Sequence, residues 1–311
     1  MNIAILGAGA MGSLFGGLLA EAGAQVVLID VDQAYIDAVQ AQGLRLETDQ
    51  GDRRIRQLTA LRPEQATTVP NLLIVFTKSL HSRAALGGVQ RLIGPDTHLM
   101  TLQNGLGNVE VLQEFAPVER LLVGVTTWPA DVAAPGHVHS HGEGAVRFGT
   151  VDGVARPFAQ EIARLFDQAG LRGKLEPAIW PAIWEKLAFN AALNCLCTIA
   201  GCSVDRLSSV PGGEALALAV ADEVIAVAQS QGVAADGAKA KANIVHAIAT
   251  HVGHDPSMLK DLKARRPTEV EAIAGAAAAA GRGAGIDVAR TEALLVLVRL
   301  TEKLRGAGAV A

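Results

Sequence analysis

Met1-Asn2-Ile3-Ala4-Ile5-Leu6-Gly7-Ala8-Gly9-Ala10-Met11-Gly12 opens the chain. A short apolar run leads directly into G-x-G-x-x-G, and a helical pattern, Ser13 to Ala22, follows it. Each glycine has a mechanical task. Gly7 permits the tight turn out of the strand, Gly9 lets the backbone approach a pyrophosphate, and Gly12 lets the next helix close on the sheet. Ala8, Ala10 and Met11 complete the turn, and the helix beginning there aims free N–H groups and its positive dipole end at the same point. A second apolar strand, Gln25 to Ile29, ends in Asp30. That places an acid at roughly the 20-residue interval expected between a phosphate turn and a group reading a ribose 2′-hydroxyl. The stretch predicts a βαβ unit that binds a dinucleotide. The alternative is a glycine-rich turn in some other α/β domain.

Outward from this unit, strand-like and helix-like segments alternate. Asn71 to Thr77, His98 to Leu102 and Arg120 to Val125 read as buried strands with helical stretches between them, the rhythm of a parallel, doubly wound sheet. His137-Val138-His139-Ser140-His141 alternates, and Ala145 to Phe148 follows as a strand, which together predict a hairpin at the sheet edge. The three histidines share one strand face. They read either as a metal site or as a polar, half-exposed surface. Pro157 to Ala169 is helical and Leu171 to Leu175 is one last short strand. After Pro177 the pattern is wholly helical: Trp180 to Ala200, Gly213 to Gln231, Ala238 to His251, Pro267 to Gly281 and Val288 to Leu304. Pro267 suits a first helical turn. The sequence therefore predicts an α/β domain over 1–178 and an all-α domain over 179–311.

The 311 residues, half of them hydrophobic, are enough for two cores. A net charge of -4 gives no basic stripe for nucleic acid. No apolar run reaches the roughly 18 residues of a membrane span, and the N-terminus lacks the cationic flank of a signal peptide. The three cysteines, Cys195, Cys197 and Cys202, fit a reducing compartment, and the expected location is cytoplasmic. On a helix Cys195 and Cys197 point about 200° apart, so they read as packing residues rather than metal ligands. The small-residue helix Ala272 to Gly281 suits either a homodimer interface or an internal helix contact.

The chemistry concentrates on the helix after Pro181. Lys186, Asn190 and Asn194 fall at i, i+4 and i+8 on one stripe, flanked by Leu187, Ala188, Phe189, Ala191, Ala192 and Leu193. Such polar groups need partners in an apolar setting. A stripe charged at one end and amide at the other suits a small polar or anionic molecule. The lysine ammonium is a movable donor of tunable pKa, able to protonate an oxygen as a carbonyl is reduced. Ser257 opens Ser257-Met258-Leu259-Lys260-Asp261, and Glu269 follows Pro267-Thr268. Ser257 can meet a carboxylate or cap a helix. Glu269 can hold a lysine or favour a first turn.

Taken in order, Gly7-Ala8-Gly9-Ala10-Met11-Gly12, Lys78 after the third strand, Gln103-Asn104-Gly105-Leu106-Gly107, Lys186-x3-Asn190-x3-Asn194, and Ser257-Met258-Leu259-x-Asp261 followed by Glu269 resemble the 2-dehydropantoate 2-reductase (ketopantoate reductase) family. The resemblance runs from residue 1 to about 300. It implies a Rossmann domain, a helical C-terminal domain and an active site in the cleft between them. It also implies hydride transfer from a nicotinamide, NAD(H) or NADP(H), to the C2 ketone of a 2-keto acid, 2-dehydropantoate foremost. By resemblance Lys186 is the general acid, and Glu269 supports that lysine and the substrate. Asn190, Asn194 and Ser257 orient the substrate, while Asn104 and Lys78 contact the cofactor and substrate side.

One departure stands out. The family's usual cofactor is NADPH, met by a basic residue near the end of the second strand. Here the chain reads Leu28-Ile29-Asp30-Val31-Asp32, with no Lys or Arg between Asn2 and Arg45. Asp30 would accept from a free 2′-hydroxyl and repel a 2′-phosphate, so the sequence predicts NADH. This opens the alternative of an NAD(H)-dependent D-2-hydroxy-acid dehydrogenase acting on another branched or aromatic 2-keto acid, with Trp128 either shaping a pocket or serving as packing. An alternative of another class is a dinucleotide-binding sensor without catalysis.

Overall fold

A computed structural model describes residues 1–305 as two compact units. The first comprises Met1–Gln103 and Asn108–Ile179, and the second Asn104–Gly107 with the chain from Trp180 onward.

The first unit is built on an eight-stranded sheet in the order β12-β11-β8-β7-β6-β1-β2-β5. Its middle is β1 (Asn2–Leu6), β2 (Gln25–Ile29), β6 (Leu72–Val75), β7 (His98–Thr101) and β8 (Leu121–Thr126), all parallel. Between their end residues these strands carry no polar side chain, for a simple reason: both faces are covered. In β1, Ile3 and Ile5 enter one core cluster while Ala4 and Leu6 enter another on the opposite face. The strand β5 (Leu58–Leu61) pairs parallel to β2 at one edge. At the other edge β11 (Val146–Thr150) runs antiparallel to β8 and parallel to β12 (Gly173–Leu175).

The expected hairpin does not form. The strand β10 (His137–Ser140) leaves the main sheet for a second, four-stranded one, ordered β4-β3-β10-β9 with β3 (Leu44–Thr48), β4 (Gly51–Ile55) and β9 (Asp131–Ala134). Its alternation is real, but the buried Val138 joins the core that also takes Leu44, Leu46 and Ile55. The first helix, α1 (Ala10–Glu21), touches both sheets. A side chain at Gly16 would stand 2.4 Å from Leu28 Cδ2 of the main sheet, and one at Gly17 2.9 Å from Ile55 Cδ1 of the small one. The adjacent glycines let one helix fit against both. The helices α2 (Gln33–Gln42), α3 (Ser82–Gly88), α4 (Asn108–Gln113) and α5 (Pro157–Gln168) complete this unit.

The second unit is helical: α6 (Trp180–Ala200), α7 (Gly213–Ser230), α8 (Gly237–Thr250), α9 (Ser257–Lys263), α10 (Ala276–Ala284) and α11 (Ala289–Leu304). Along α6, Leu187, Ala188, Ala191, Ala192, Leu193 and Cys195 are buried in one core with α7 and α8. The helix expected from Pro267 starts later. Thr268 Oγ1 accepts from Val270 N–H at 3.2 Å, a local side-chain turn that competes with helix formation. A π-helical turn at Glu271–Gly275 then leads into α10. The small residues of α10 serve an internal contact: a side chain at Gly281 would lie 2.6 Å from Val288 Cγ1 and 3.2 Å from Val227 Cγ2 of α7. The N-terminus of α11 is held by Glu223 of α7, 7% exposed, which accepts from Thr291 N and Thr291 Oγ1 at 2.8 Å and from Arg290 N at 3.1 Å. No helix of the described residues is long and apolar enough to cross a membrane.

Candidate active site

In the sheet unit the candidate residues centre on the turn between β1 and α1. Gly7 has φ of +95°, and a Cβ there would meet Thr77 N at 2.6 Å. At Gly12 it would meet Gly7 O at 2.0 Å, so the turn and the helix start close only on glycine. At Gly9, by contrast, a Cβ would meet nothing within 4 Å. Open space over Gly9 is what an approaching pyrophosphate requires. Beside it, α1 starts at Ala10 with no side-chain cap and no acid in its first turn. Its leading N–H groups, those of Ala10, Met11 and Gly12, therefore suit an anion. These residues fit a dinucleotide.

Asp30 sits at the end of β2, next to the turn in space. Its Oδ2 accepts from Ala8 N–H at 2.6 Å, and its Oδ1 accepts from Val31 and Asp32 N–H at 2.7 and 3.0 Å. The structure adds a residue that the local sequence hid. β5 pairs Ile29 with Leu61, so the next residue, Arg62, arrives beside Asp30. Arg62 Nη1 donates to Val31 O at 3.0 Å while its Nε donates to Glu64 at 2.7 Å. The reach of sequence without Lys or Arg around Asp30 is thus not free of cations in three dimensions. The signal that could have found Arg62 is β5 itself, a short Leu-Thr-Ala-Leu run that the alternating pattern did not single out.

Two further loops at the C-terminal edge of the sheet, where α/β folds bind ligands, are tied together by Gln103. Its Nε2 donates to Ser82 Oγ at 2.7 Å and to Thr77 O, and its Oε1 accepts from Thr101 Oγ1 at 2.9 Å. Lys78, half-buried, caps a short 3-10 turn at Ser79–His81 between these partners.

A separate cluster of candidate residues lies in the helical unit. Lys186, Asn190 and Asn194 follow one stripe of α6, and Thr198 extends it by another turn. Asn190 and Asn194 are 7% and 4% exposed. Thr198 Oγ1 is buried without a partner. Burial pulls the Lys186 pKa from 10.5 down to about 8, and the negative charge of Glu269 opposes that shift. The neighbouring Glu185 is already engaged, accepting from Lys239 Nζ at 2.7 Å and Asp236 N at 3.3 Å. Glu269 is half-buried just before the π-helical turn, where Ile273 N–H donates to its carbonyl at 3.1 Å and Gly275 N–H to Val270 O at 2.9 Å. π-helical turns recur at functional sites.

Asn104 is half-buried in the segment Asn104–Gly107, which packs with these helices. Leu106 N–H donates to Ala272 O at 2.9 Å, and a Cβ on Gly105 would fall 2.2 Å from the same oxygen. Ser257 is exposed at the first position of α9; the cap is Pro256, so Ser257 does not serve as one.

Other candidates have structural partners. His137 contacts Glu47 of β3 at 3.3 Å, and His141 contacts Asp49 in the turn after that strand at 3.0 Å. Among the described residues no cluster of His, Cys, Asp or Glu is arranged to hold a metal ion. Trp128 donates its indole N–H to Leu171 O at 2.9 Å and covers Gly144, which makes it packing. Burial pushes the Cys195 and Cys197 thiols up to about 12, as suits inert core residues.

The family description "Ketopantoate reductase PanE/ApbA" matches residues 3–153, and its C-terminal counterpart matches residues 178–302. The chain belongs to the ketopantoate reductase family. A 2-dehydropantoate 2-reductase from Archaeoglobus fulgidus is 32% identical over 302 residues, 97% of this chain and 98% of its own length. One from Geobacter metallireducens has a solved structure with a TM-score of 0.90 and 30% identity, covering 96% of this chain and 99% of that one. D-mandelate dehydrogenase, solved with NADH and anilino(oxo)acetate, superposes with a TM-score of 0.93 at 28% identity, covering 98% and 99%. Ketopantoate reductase family members are nicotinamide-dependent oxidoreductases, and this chain carries both halves of that family's architecture.

Proposed function

We propose that the chain reduces the C2 ketone of a 2-keto acid to a D-2-hydroxy acid, with 2-dehydropantoate as substrate and (R)-pantoate as product. The observation that carries this reading is the α6 stripe: a lysine with pKa near 8 followed by two buried asparagines on the same face of the helix. Gly7 to Gly12 would hold the pyrophosphate, Asp30 the adenosine ribose, and Lys78 and Asn104 the remainder of the cofactor. When bound, the nicotinamide supplies the hydride. Lys186 donates a proton to the keto oxygen as charge develops there, and the falling cost of deprotonation near neutral pH makes it a competent acid. Glu269 keeps Lys186 protonated by its charge and orients it. Asn190, Asn194 and Ser257 donate hydrogen bonds that fix the keto acid, so that the ketone is presented in one orientation. A purely dinucleotide-binding sensor would not need the Lys186, Asn190, Asn194, Ser257 and Glu269 set.

A second reading is favoured by Asp30. A carboxylate facing the adenosine ribose supports NADH, and the likeness to NADH-bound D-mandelate dehydrogenase supports a branched or aromatic 2-keto acid. One experiment separates the readings: steady-state rates with NADH and NADPH, each against ketopantoate and a panel of branched and aromatic 2-keto acids. Turnover of ketopantoate well above the panel supports the first reading. Turnover of another keto acid with NADH and none with ketopantoate replaces it with the second. No turnover with any pair refutes both.

A further inference from the structure

The Asp30 carboxylate offers four lone-pair positions. Val31 and Asp32 N–H groups fill the two on Oδ1, and Ala8 N–H takes one on Oδ2. The position left is on Oδ2, and its direction follows the Ala8 peptide. Ala8 is gripped from its other side as well. Ser13 Oγ lies 2.8 Å from Ala8 O and 2.8 Å from Tyr35 Oη. A carbonyl only accepts, so the single Ser13 proton goes to Ala8 and Tyr35 is the donor to Ser13. Ser13 is 0% exposed and Tyr35 6%, which keeps water from replacing either bond. Tyr35 stands in the first turn of α2, where its own N–H and that of Ala34 donate to Asp32 Oδ1 at 3.3 and 3.0 Å. Asp32 in turn donates its N–H to Asp30. The chain of bonds closes on itself: Asp30, Ala8, Ser13, Tyr35, Asp32 and back to Asp30.

We propose that Tyr35 is a positioning residue for cofactor choice: through Ser13 it fixes the Ala8 peptide and so aims Asp30 Oδ2 at a free ribose 2′-hydroxyl. The inference rests on the ribose-reading role proposed for Asp30. Removing the Tyr35 hydroxyl leaves Ser13 free to turn, loosens the Ala8 carbonyl and lets Oδ2 swing. Binding of the unphosphorylated ribose suffers, whereas a 2′-phosphate, which gains nothing from Oδ2, is indifferent.

The test is calorimetric titration of the full chain with ADP-ribose and with 2′-phospho-ADP-ribose, neither carrying a nicotinamide. Tyr35→Phe keeps the ring and its packing. It is expected to weaken ADP-ribose by about threefold to tenfold, the worth of one buried hydrogen bond, and to leave the 2′-phosphorylated ligand unchanged. Ser13→Ala is expected to do the same, and the double variant no more than either alone, since both break one chain. Equal weakening of both ligands, or unchanged ADP-ribose affinity, overturns the proposal. Asp30→Asn separates it from its foundation. If that variant leaves discrimination intact, the Asp30 role fails and this proposal with it. If it narrows discrimination while Tyr35→Phe does not, only the Tyr35 proposal fails.

Discussion

Lys186 gives the sharpest prediction, because one shifted pKa governs both rate and stability. With a pKa of about 8, the ammonium is about nine-tenths protonated at pH 7 and about one-tenth at pH 9. Reduction needs the protonated form, so kcat/KM for keto-acid reduction is expected to fall about tenfold between about pH 7 and pH 9. A lysine at the ordinary 10.5 would leave the rate flat across that range. Oxidation of the hydroxy acid needs the neutral amine and is expected to rise over the same interval. Lys186→Met is expected to lose about 10²- to 10⁴-fold in turnover, the usual worth of a positioned acid.

Stability moves the other way. The unfolded chain holds the Lys186 proton up to 10.5 and the folded chain only to about 8. Protonation therefore opposes folding, in full below pH 8, and its cost disappears as pH climbs from 8 to 10.5. The drop from 10.5 to about 8 corresponds to at most about 3 kcal/mol. Lys186→Met should thus be more stable to urea than the native chain at about pH 7, and the advantage should shrink by about pH 10. The measurements are initial rates by nicotinamide absorbance across pH, and urea unfolding of both proteins at the two pH values. A rate that stays flat past about pH 9, or a Lys186→Met protein that keeps its turnover, refutes the assignment.

Four other outcomes are expected. Glu269→Gln removes the charge that holds the Lys186 pKa up, so the falling limb of the reduction profile should move to lower pH; a limb that moves upward or stays put contradicts the coupling. Gly9→Val projects into open space, so stability should change by less than about 0.5 kcal/mol while cofactor affinity, read by fluorescence titration, collapses. Arg62→Gln should weaken NADPH by about threefold to tenfold and leave NADH unchanged, because the guanidinium is held against Val31 O, next to Asp30. Glu223→Ala strips the buried cap from α11 and should cost about 3 kcal/mol in urea unfolding, without altering KM for the cofactor.

The sequence made the central sheet readable because β1, β2, β6, β7 and β8 are buried on both faces and therefore apolar between their end residues. The strands β3, β4 and β5 escaped notice because each buries only one or two side chains: Gly51-Asp52-Arg53-Arg54-Ile55 has one buried residue, and its polarity looks like a loop. The alternation Leu44-Arg45-Leu46-Glu47 before a Thr48-Asp49-Gln50-Gly51 turn was the available signal. The hairpin expected at 137–148 failed because β10 pairs on one side with β3, 92 residues earlier at Arg45 to Thr48, and on the other with β9 just before it. In the site, residues carried by one helix were legible as a stripe, down to Lys186, Asn190 and Asn194. Arg62 and Tyr35 were not, because each reaches Asp30 or Ala8 only through sheet pairing or the fold of α2. Thr198 lay on the same stripe and went unread because a threonine in a helix is ordinarily silent.

The segment Asn104–Gly107 has a consequence for how this chain can be rearranged. Four residues from the middle of the sheet unit's sequence pack with the helices, bonded to Ala272 O and so tight at Gly105 that no side chain fits. A single crossover near residue 180 would therefore graft foreign helices onto a native 104–107 loop. Recombination between relatives succeeds only where the backbone around position 272 can still receive that loop, or where both segments travel together. The two units are distinct bodies, but they are inherited as one.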